Sequence, residues 1–247
     1  MRSVVLRDLE RALARGTGAG ALRPQRRITV STGVPELDAL LPGGGLPRGQ
    51  PIEWFGPRSC GKTALLRATF ERLRGEGEPV AIIDTTRSLY APDWTNLKGD
   101  APFWVVRPPG RGEALWCADL LLRSGAFGAV ALETWADSPA SSGRVSEFAD
   151  RGDPVPHGVA VRLQHLAEEA GAVLIVVGEL PLAALRLRFR PAHLEPVLGV
   201  AFGPFLPPVR PVWVEVGKVG GGEIPILCPP LPERGCPRFI RDRKGPR

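Results

Sequence analysis

Apolar positions recur along this chain at two different periods, and their alternation predicts an architecture. Short apolar runs at Ile52–Phe55, Val80–Asp84, Phe103–Val106, Val130–Glu133 and Val173–Val177 read as strands. Between them, Lys62–Arg74, Gly112–Ser124 and Gly158–Ala170 carry apolar residues at helical spacing. This order predicts an α/β fold: a mostly parallel sheet flanked by helices, with any ligand at the carboxyl ends of the strands. The second half changes character. Leu185–Arg190 alternates apolar and basic residues, Trp213–Val216 alternates too, and Ile224–Leu227 is a short apolar run. These predict additional antiparallel edge strands on the C-terminal side.

Both ends differ from this middle. Residues 3–15 place Val4, Leu6, Leu9 and Leu13 on one side and Arg2, Arg7, Glu10 and Arg11 on the other, predicting an amphipathic helix that Gly16–Gly20 ends. So short a helix needs its apolar stripe covered, either by its own domain or by another molecule, and self-association through residues 3–15 stays open. After Cys228 the chain turns proline-rich and then basic. The resulting division is 1–27 as helix and linker, 28–228 as the core, and 229–247 as a mobile basic tail. The polar stretch 136–157 is long for a strand-to-helix connection and reads as a functional or disordered loop.

Composition narrows the classes. The chain of 247 residues suits one α/β domain, and no apolar run approaches the ~20 residues of a membrane helix. With no signal-peptide pattern either, the expected location is cytoplasmic. Cys60, Cys117, Cys228 and Cys236 form no CxxC pair, and His157, His165 and His193 stand at no metal-ligand spacing from them, so reduced thiols and no structural metal are expected. A net charge of +6 leans toward an anionic partner, although arginine dominance is also a signature of genome composition.

The sharpest chemical signal is Gly56-Pro57-Arg58-Ser59-Cys60-Gly61-Lys62-Thr63, a GxxxxGK[ST] phosphate loop between a predicted strand and a predicted helix. Its glycines let successive N–H groups face an anion, and the helix N-terminus adds positive potential. Lys62 reaches β- and γ-phosphates, and the Thr63 hydroxyl suits Mg²⁺. The alternative is a glycine-rich turn, but all the motif positions are in register with the flanking elements. ATP and Mg²⁺ are therefore the expected cofactors.

The run Ile28-Thr-Val-Ser-Thr-Gly33-Val-Pro-Glu-Leu-Asp38, continuing through Gly43-Gly-Gly45 and Gly49 into this loop, resembles the RecA/RadA family of strand-exchange ATPases. The likeness extends more loosely to about Gly222. It implies a RecA-like phosphate-loop core, with a shorter N-terminal region and without the C-terminal domain of RecA. The size, the LRLRFR strand and the basic end resemble ImuA, the RecA-like accessory protein of bacterial damage-induced mutagenesis. That resemblance implies RecA, an ImuB-like polymerase-fold protein and an error-prone polymerase as partners.

Departures from the family pattern redirect the expected function. Thr86 stands where the family carries the glutamate that orients the attacking water. Glu133 replaces an aspartate that assists Mg²⁺, and remains a candidate metal-binding and catalytic residue. Glu179 replaces the glutamine that senses γ-phosphate, where a carboxylate repels phosphate unless Mg²⁺ or an arginine neutralises it. Only Leu180–Ala183 separate Glu179 from the LRLRFR strand, so the family's long DNA-binding loop is absent there. Together these imply an accessory regulator with weak or no ATPase activity; the alternative is a DNA-dependent ATPase using Glu133 as base. Tyr90 and Trp94 lie where the family packs residues on adenine, with core packing as the alternative. Arg186, Arg188 and Arg190 share one strand face and, with Arg238, Arg241, Arg243 and Lys244 of the tail, are candidates for single-stranded DNA or partner contact. The bland readings are a charge-protected sheet face and an ordinary terminus.

Overall fold

The computed structural model describes residues 9–13, 28–57, 60–87, 89–134, 155–191, 209–217 and 220–227. In chain order the elements are β1 (Thr29–Val30), α1 (Pro35–Leu40), a 3-10 turn (Pro42–Gly44), β2 (Leu46–Pro47), β3 (Pro51–Phe55), α2 (Lys62–Gly75), β4 (Val80–Ile83) and α3 (Ala91–Thr95). They continue with β5 (Phe103–Val106), α4 (Arg111–Ser124), β6 (Ala129–Glu133), α5 (His157–Ala170), β7 (Val173–Val177), β8 (Leu185–Pro191), β9 (Val209–Val216) and β10 (Gly220–Leu227).

Eight strands form one sheet in the order β10-β9-β8-β3-β7-β6-β4-β5. From β5 to β8 all neighbours are parallel, and β8-β9 and β9-β10 are antiparallel. This is the expected mixed sheet with helices on its faces. The central strands are buried on both faces, as a parallel sheet covered by helices requires, so they read as continuous apolar runs. One face, with Ile52, Trp54, Ile82 and Ile175, packs on α2; the other, with Ile83, Leu132 and Val176, packs with α4 and α5.

One expectation is corrected. β8 is no edge strand: it lies inside the sheet, parallel to β3 and antiparallel to β9. Its alternating pattern arises from one-sided covering. Leu185, Leu187 and Phe189 are buried, while Arg186, Arg188 and Arg190 are exposed on the other face. The route into β8 is short. Residues 178–184 leave β7 and cross over β3, because β7 and β8 flank β3 on opposite sides. Backbone bonds from Gly178 to Trp54 O (3.1 Å) and from Ala184 to Pro51 O (2.9 Å) pin the crossing. The Leu180 N–H donates to Glu53 Oε2 at 3.0 Å beneath it.

Residues 9–13 are helical, and Leu9 and Leu13 are buried in the chain's own cluster with α4 and α5. At those two positions the stripe is covered by its own domain. The rest of residues 3–15, the loop 136–154 and the tail 229–247 lie outside the described residues.

The segment 28–49 has a structural role. Asp38 of α1 accepts from Thr32 N and Thr32 Oγ1 (both 2.8 Å), and Thr69 Oγ1 on α2 donates to Thr32 O at 3.2 Å. Gly33, with φ +79°, brings this turn so close to α2 that a Cβ would lie 2.8 Å from Ala68 O. The motif thus braces the helix that carries the phosphate loop.

Candidate nucleotide-binding site

β3 ends under the phosphate loop. Gly56 opens it with φ +151°, and a Cβ there would lie 2.3 Å from Phe189 O on β8, so only glycine fits. Gly61, left-handed at φ 93°, is the N-cap of α2. No side chain caps that helix, so its first-turn N–H groups face the loop, as an anion site requires. Arg58 and Ser59 lie outside the described residues. Cys60 is buried and Pro57 and Thr63 are exposed.

Lys62 is the first residue of α2 and only 7% exposed. Its Nζ donates to Gly56 O and to Pro57 O (2.8 Å) and lies 3.4 Å from Cys60 Sγ. The ammonium is folded into the loop's own carbonyl groups, poised where phosphate oxygens would replace them.

The carboxyl ends of β4 and β6 meet beside the loop. Glu133 ends β6 at 7% exposure; its Oε2 accepts from Thr86 Oγ1 at 3.1 Å, and its carbonyl accepts from Thr85 Oγ1 at 2.7 Å. Asp84, fully buried, accepts from Arg107 Nε at 2.9 Å, and Arg107 Nη2 donates to Leu89 O at 3.0 Å. The sequence places Asp84–Thr86 with Glu133 and Glu179 at the carboxyl ends of the strands, beside the phosphate loop, whereas Arg107 is not singled out by it. Polar residues at successive strand ends were the available signal.

Glu179 follows Gly178 at the end of β7 and is half-buried. Among the described residues no arginine is ion-paired with its carboxylate. Tyr90 is 50% exposed at the start of α3 and is available to stack on a base. Trp94 is core: it stacks on Phe103 (centroids 5.3 Å apart) and meets Phe70 edge-on. For Mg²⁺ the oxygen donors at hand are Thr63 and Glu133, a sparse set suited to an ion whose remaining ligands are phosphate and water. No group of three or more His, Cys, Asp or Glu gathers as a metal site among the described residues.

The three arginines of β8 lie together but are not bare. Arg186 Nε is 3.6 Å from Glu53 Oε2, Arg188 sits 5.3 Å over the Phe55 ring, and Arg190 Nη2 is 3.5 Å from Glu215 Oε2. Trp213, which the sequence marks only as the start of an alternating strand, is 38% exposed and directly opposite Arg190 on β9. Arg238, Arg241, Arg243 and Lys244 lie outside the described residues. No helix among the described residues is long and apolar enough to cross a membrane.

A strand, a left-handed glycine, an uncapped helix and a buried lysine in this register form the framework of a phosphate loop in an α/β protein. The model of the RecA N-terminal domain matches residues 4–144, more than half of the chain, and the chain belongs to that family. It is 34% identical over 167 residues to protein RecA of Methylobacterium sp. (strain 4-46), covering 66% of this chain and 45% of that one. Protein RecA of Agrobacterium fabrum is 36% identical over 140 residues (56% and 38%), and that of Nostoc sp. 35% over 137 residues (54% and 38%). The chain thus spans less than half the length of these relatives.

Proposed function

We propose that this protein is a nucleotide-binding, RecA-like accessory protein of DNA repair, acting in damage-induced (SOS) translesion synthesis with little or no recombinase activity. Its partners in this reading are RecA, an ImuB-like polymerase-fold protein and an error-prone polymerase, with single-stranded DNA as a further ligand. Lys62 exchanges the Gly56 and Pro57 carbonyls for phosphate oxygens of ATP, the first-turn N–H groups of α2 hold the rest, and Tyr90 stacks on the base. Thr63 and Glu133 hold Mg²⁺, whose charge offsets that of the phosphates.

The observation that carries this reading is the pair Thr86–Glu133. At the position where the family places a water-orienting glutamate stands a hydroxyl, and that hydroxyl is engaged with the neighbouring carboxylate. A threonine has no basic group with which to accept the water's proton. The short crossing 178–184, where the family has a long loop, supports the same reading. A second reading, a DNA-dependent ATPase, draws on Glu133 itself, a carboxylate beside the phosphate loop able to serve as base.

The test is binding and hydrolysis of Mg·ATP, with and without single-stranded DNA, beside Lys62→Ala and Thr86→Glu. The accessory reading expects wild-type turnover at background and capture of RecA that does not depend on hydrolysis. DNA-stimulated turnover that disappears with Lys62→Ala overturns it in favour of the second reading.

A further inference from the structure

A cavity of about 500 Å³ opens between the end of α2, α3 and edge strand β5, within the size range of small-molecule sites. Its apolar lining includes Leu89, Trp94, Leu97 and Phe103, and Arg74 and Arg107 supply its charge; no carboxylate lines it. Ala91, Trp94 and Thr95 contribute from α3, a single helix face at i, i+3, i+4. Tyr90 is not part of the lining; its neighbours Leu89 and Ala91 and the core residue Trp94 are, so the cavity lies on the inner side of the segment that carries Tyr90.

Its chemistry is selective. Trp94 and Phe103 stack nearly parallel, with an interplanar angle of 19°, which favours a further flat ring against the same wall. Arg74 uses Nε and Nη1 on the carbonyls of Ala101, Leu97 and Lys98, and Arg107 uses Nε and Nη2 on Asp84 and Leu89. Arg74 Nη2 and Arg107 Nη1 are left without a hydrogen-bond partner among the described residues. An apolar wall with two such donors suits a planar ring bearing an anionic group.

Arg107 also reaches the nucleotide site. Its two bonds bracket the segment from Asp84 to Leu89, which contains Thr85 and Thr86, the residues bonded to Glu133. An anion on Arg107 Nη1 shares the guanidinium with Asp84 and Leu89, and so bears on the segment they bracket. We infer that the cavity is a binding site for a planar aromatic carboxylate, and that its occupancy alters nucleotide binding through Arg107. The first half stands on the cavity alone; the second rests on the nucleotide-binding reading above.

The probe is 2-naphthoate, titrated calorimetrically against the full chain beside 2-acetylnaphthalene, a neutral molecule of similar shape. The expected result is saturable binding of naphthoate, roughly tenfold tighter than the ketone, as one charge-assisted hydrogen bond supplies. Val105→Glu places a like charge at the mouth on a residue that is already exposed, and abolishes naphthoate binding while the circular dichroism stays unchanged. Arg107→Gln brings naphthoate down to the affinity of the ketone. Equal affinity for the two probes, or naphthoate binding undiminished in folded Val105→Glu, overturns the site. Naphthoate binding that leaves Mg·ATP affinity unchanged overturns the coupling alone. Absence of Mg·ATP binding with naphthoate still bound strikes the nucleotide reading, and the coupling with it, but not the cavity site.

Discussion

The Thr86 hydroxyl donates to Oε2 of Glu133 across 3.1 Å, joining the segment after β4 to the end of β6. It orients a carboxylate that is almost fully buried. Thr86→Val preserves the shape and removes the donor, so it is expected to cost about 1.5–3 kcal/mol, the range for a hydrogen bond to a charged group. Equilibrium urea unfolding at constant m-value measures it. A loss within 0.3 kcal/mol of zero, roughly the experimental scatter, would mean that other partners of Glu133 suffice.

Gly56 allows a parallel test of the loop's geometry. Gly56→Ala drives a Cβ to 2.3 Å from Phe189 O at a φ that L-residues rarely adopt, and a loss of roughly 2–3 kcal/mol is expected. Gly75→Ala, at the end of α2 with open space around it, is expected to stabilise by about 0.5–1 kcal/mol. Thermal unfolding of the two variants should move in opposite directions.

Cys117 on α4 gives a prediction in pH. Burial, and secondarily Glu113 nearby, push its thiol up to about 11 from 9.0. Below pH 9 the thiol is neutral in both the folded and unfolded chains. Between 9 and 11 the unfolded chain releases the proton and the folded one keeps it, so stability falls as pH rises through that window. The loss is on the order of 2 kcal/mol. Cys117→Ala should flatten the decline between pH 9 and 11 in a pH series of urea denaturations; an unchanged slope would assign the decline to other groups.

The arginines of β8 bear on nucleic-acid contact. If all three touch phosphates, replacing Arg186, Arg188 and Arg190 together by Gln reduces the slope of log affinity against log salt by about 2 for single-stranded DNA. Anisotropy of labelled oligothymidine between 50 and 200 mM salt, a conventional range, reads this directly. An unchanged slope leaves the stripe to its ion pairs with Glu53 and Glu215.

Much of this fold was legible because it depends on burial periodicity. The central strands, covered on both sides, had to be apolar throughout, and the phosphate loop announced itself by spacing. The position of β8 was not legible: an alternating strand looks the same at an edge as beside an interior strand covered on one face, and sheet order is a long-range property. The pairing of Asp84 with Arg107 was missed for a related reason. They are 23 residues apart in sequence and meet only because β4 and β5 are neighbours. Trp94 was ambiguous between base stacking and core until its contacts with Phe70 and Phe103 placed it.

The crossing from β7 to β8 contains no slack. Its seven residues are fastened to β3 at Trp54 and Pro51, and through Leu180 to Glu53, whose carboxylate also faces Arg186. Glu179 and the arginine stripe therefore rest on one support, strand β3, and their relative position is fixed by it. A short, taut link transmits position where a long loop would transmit order and disorder.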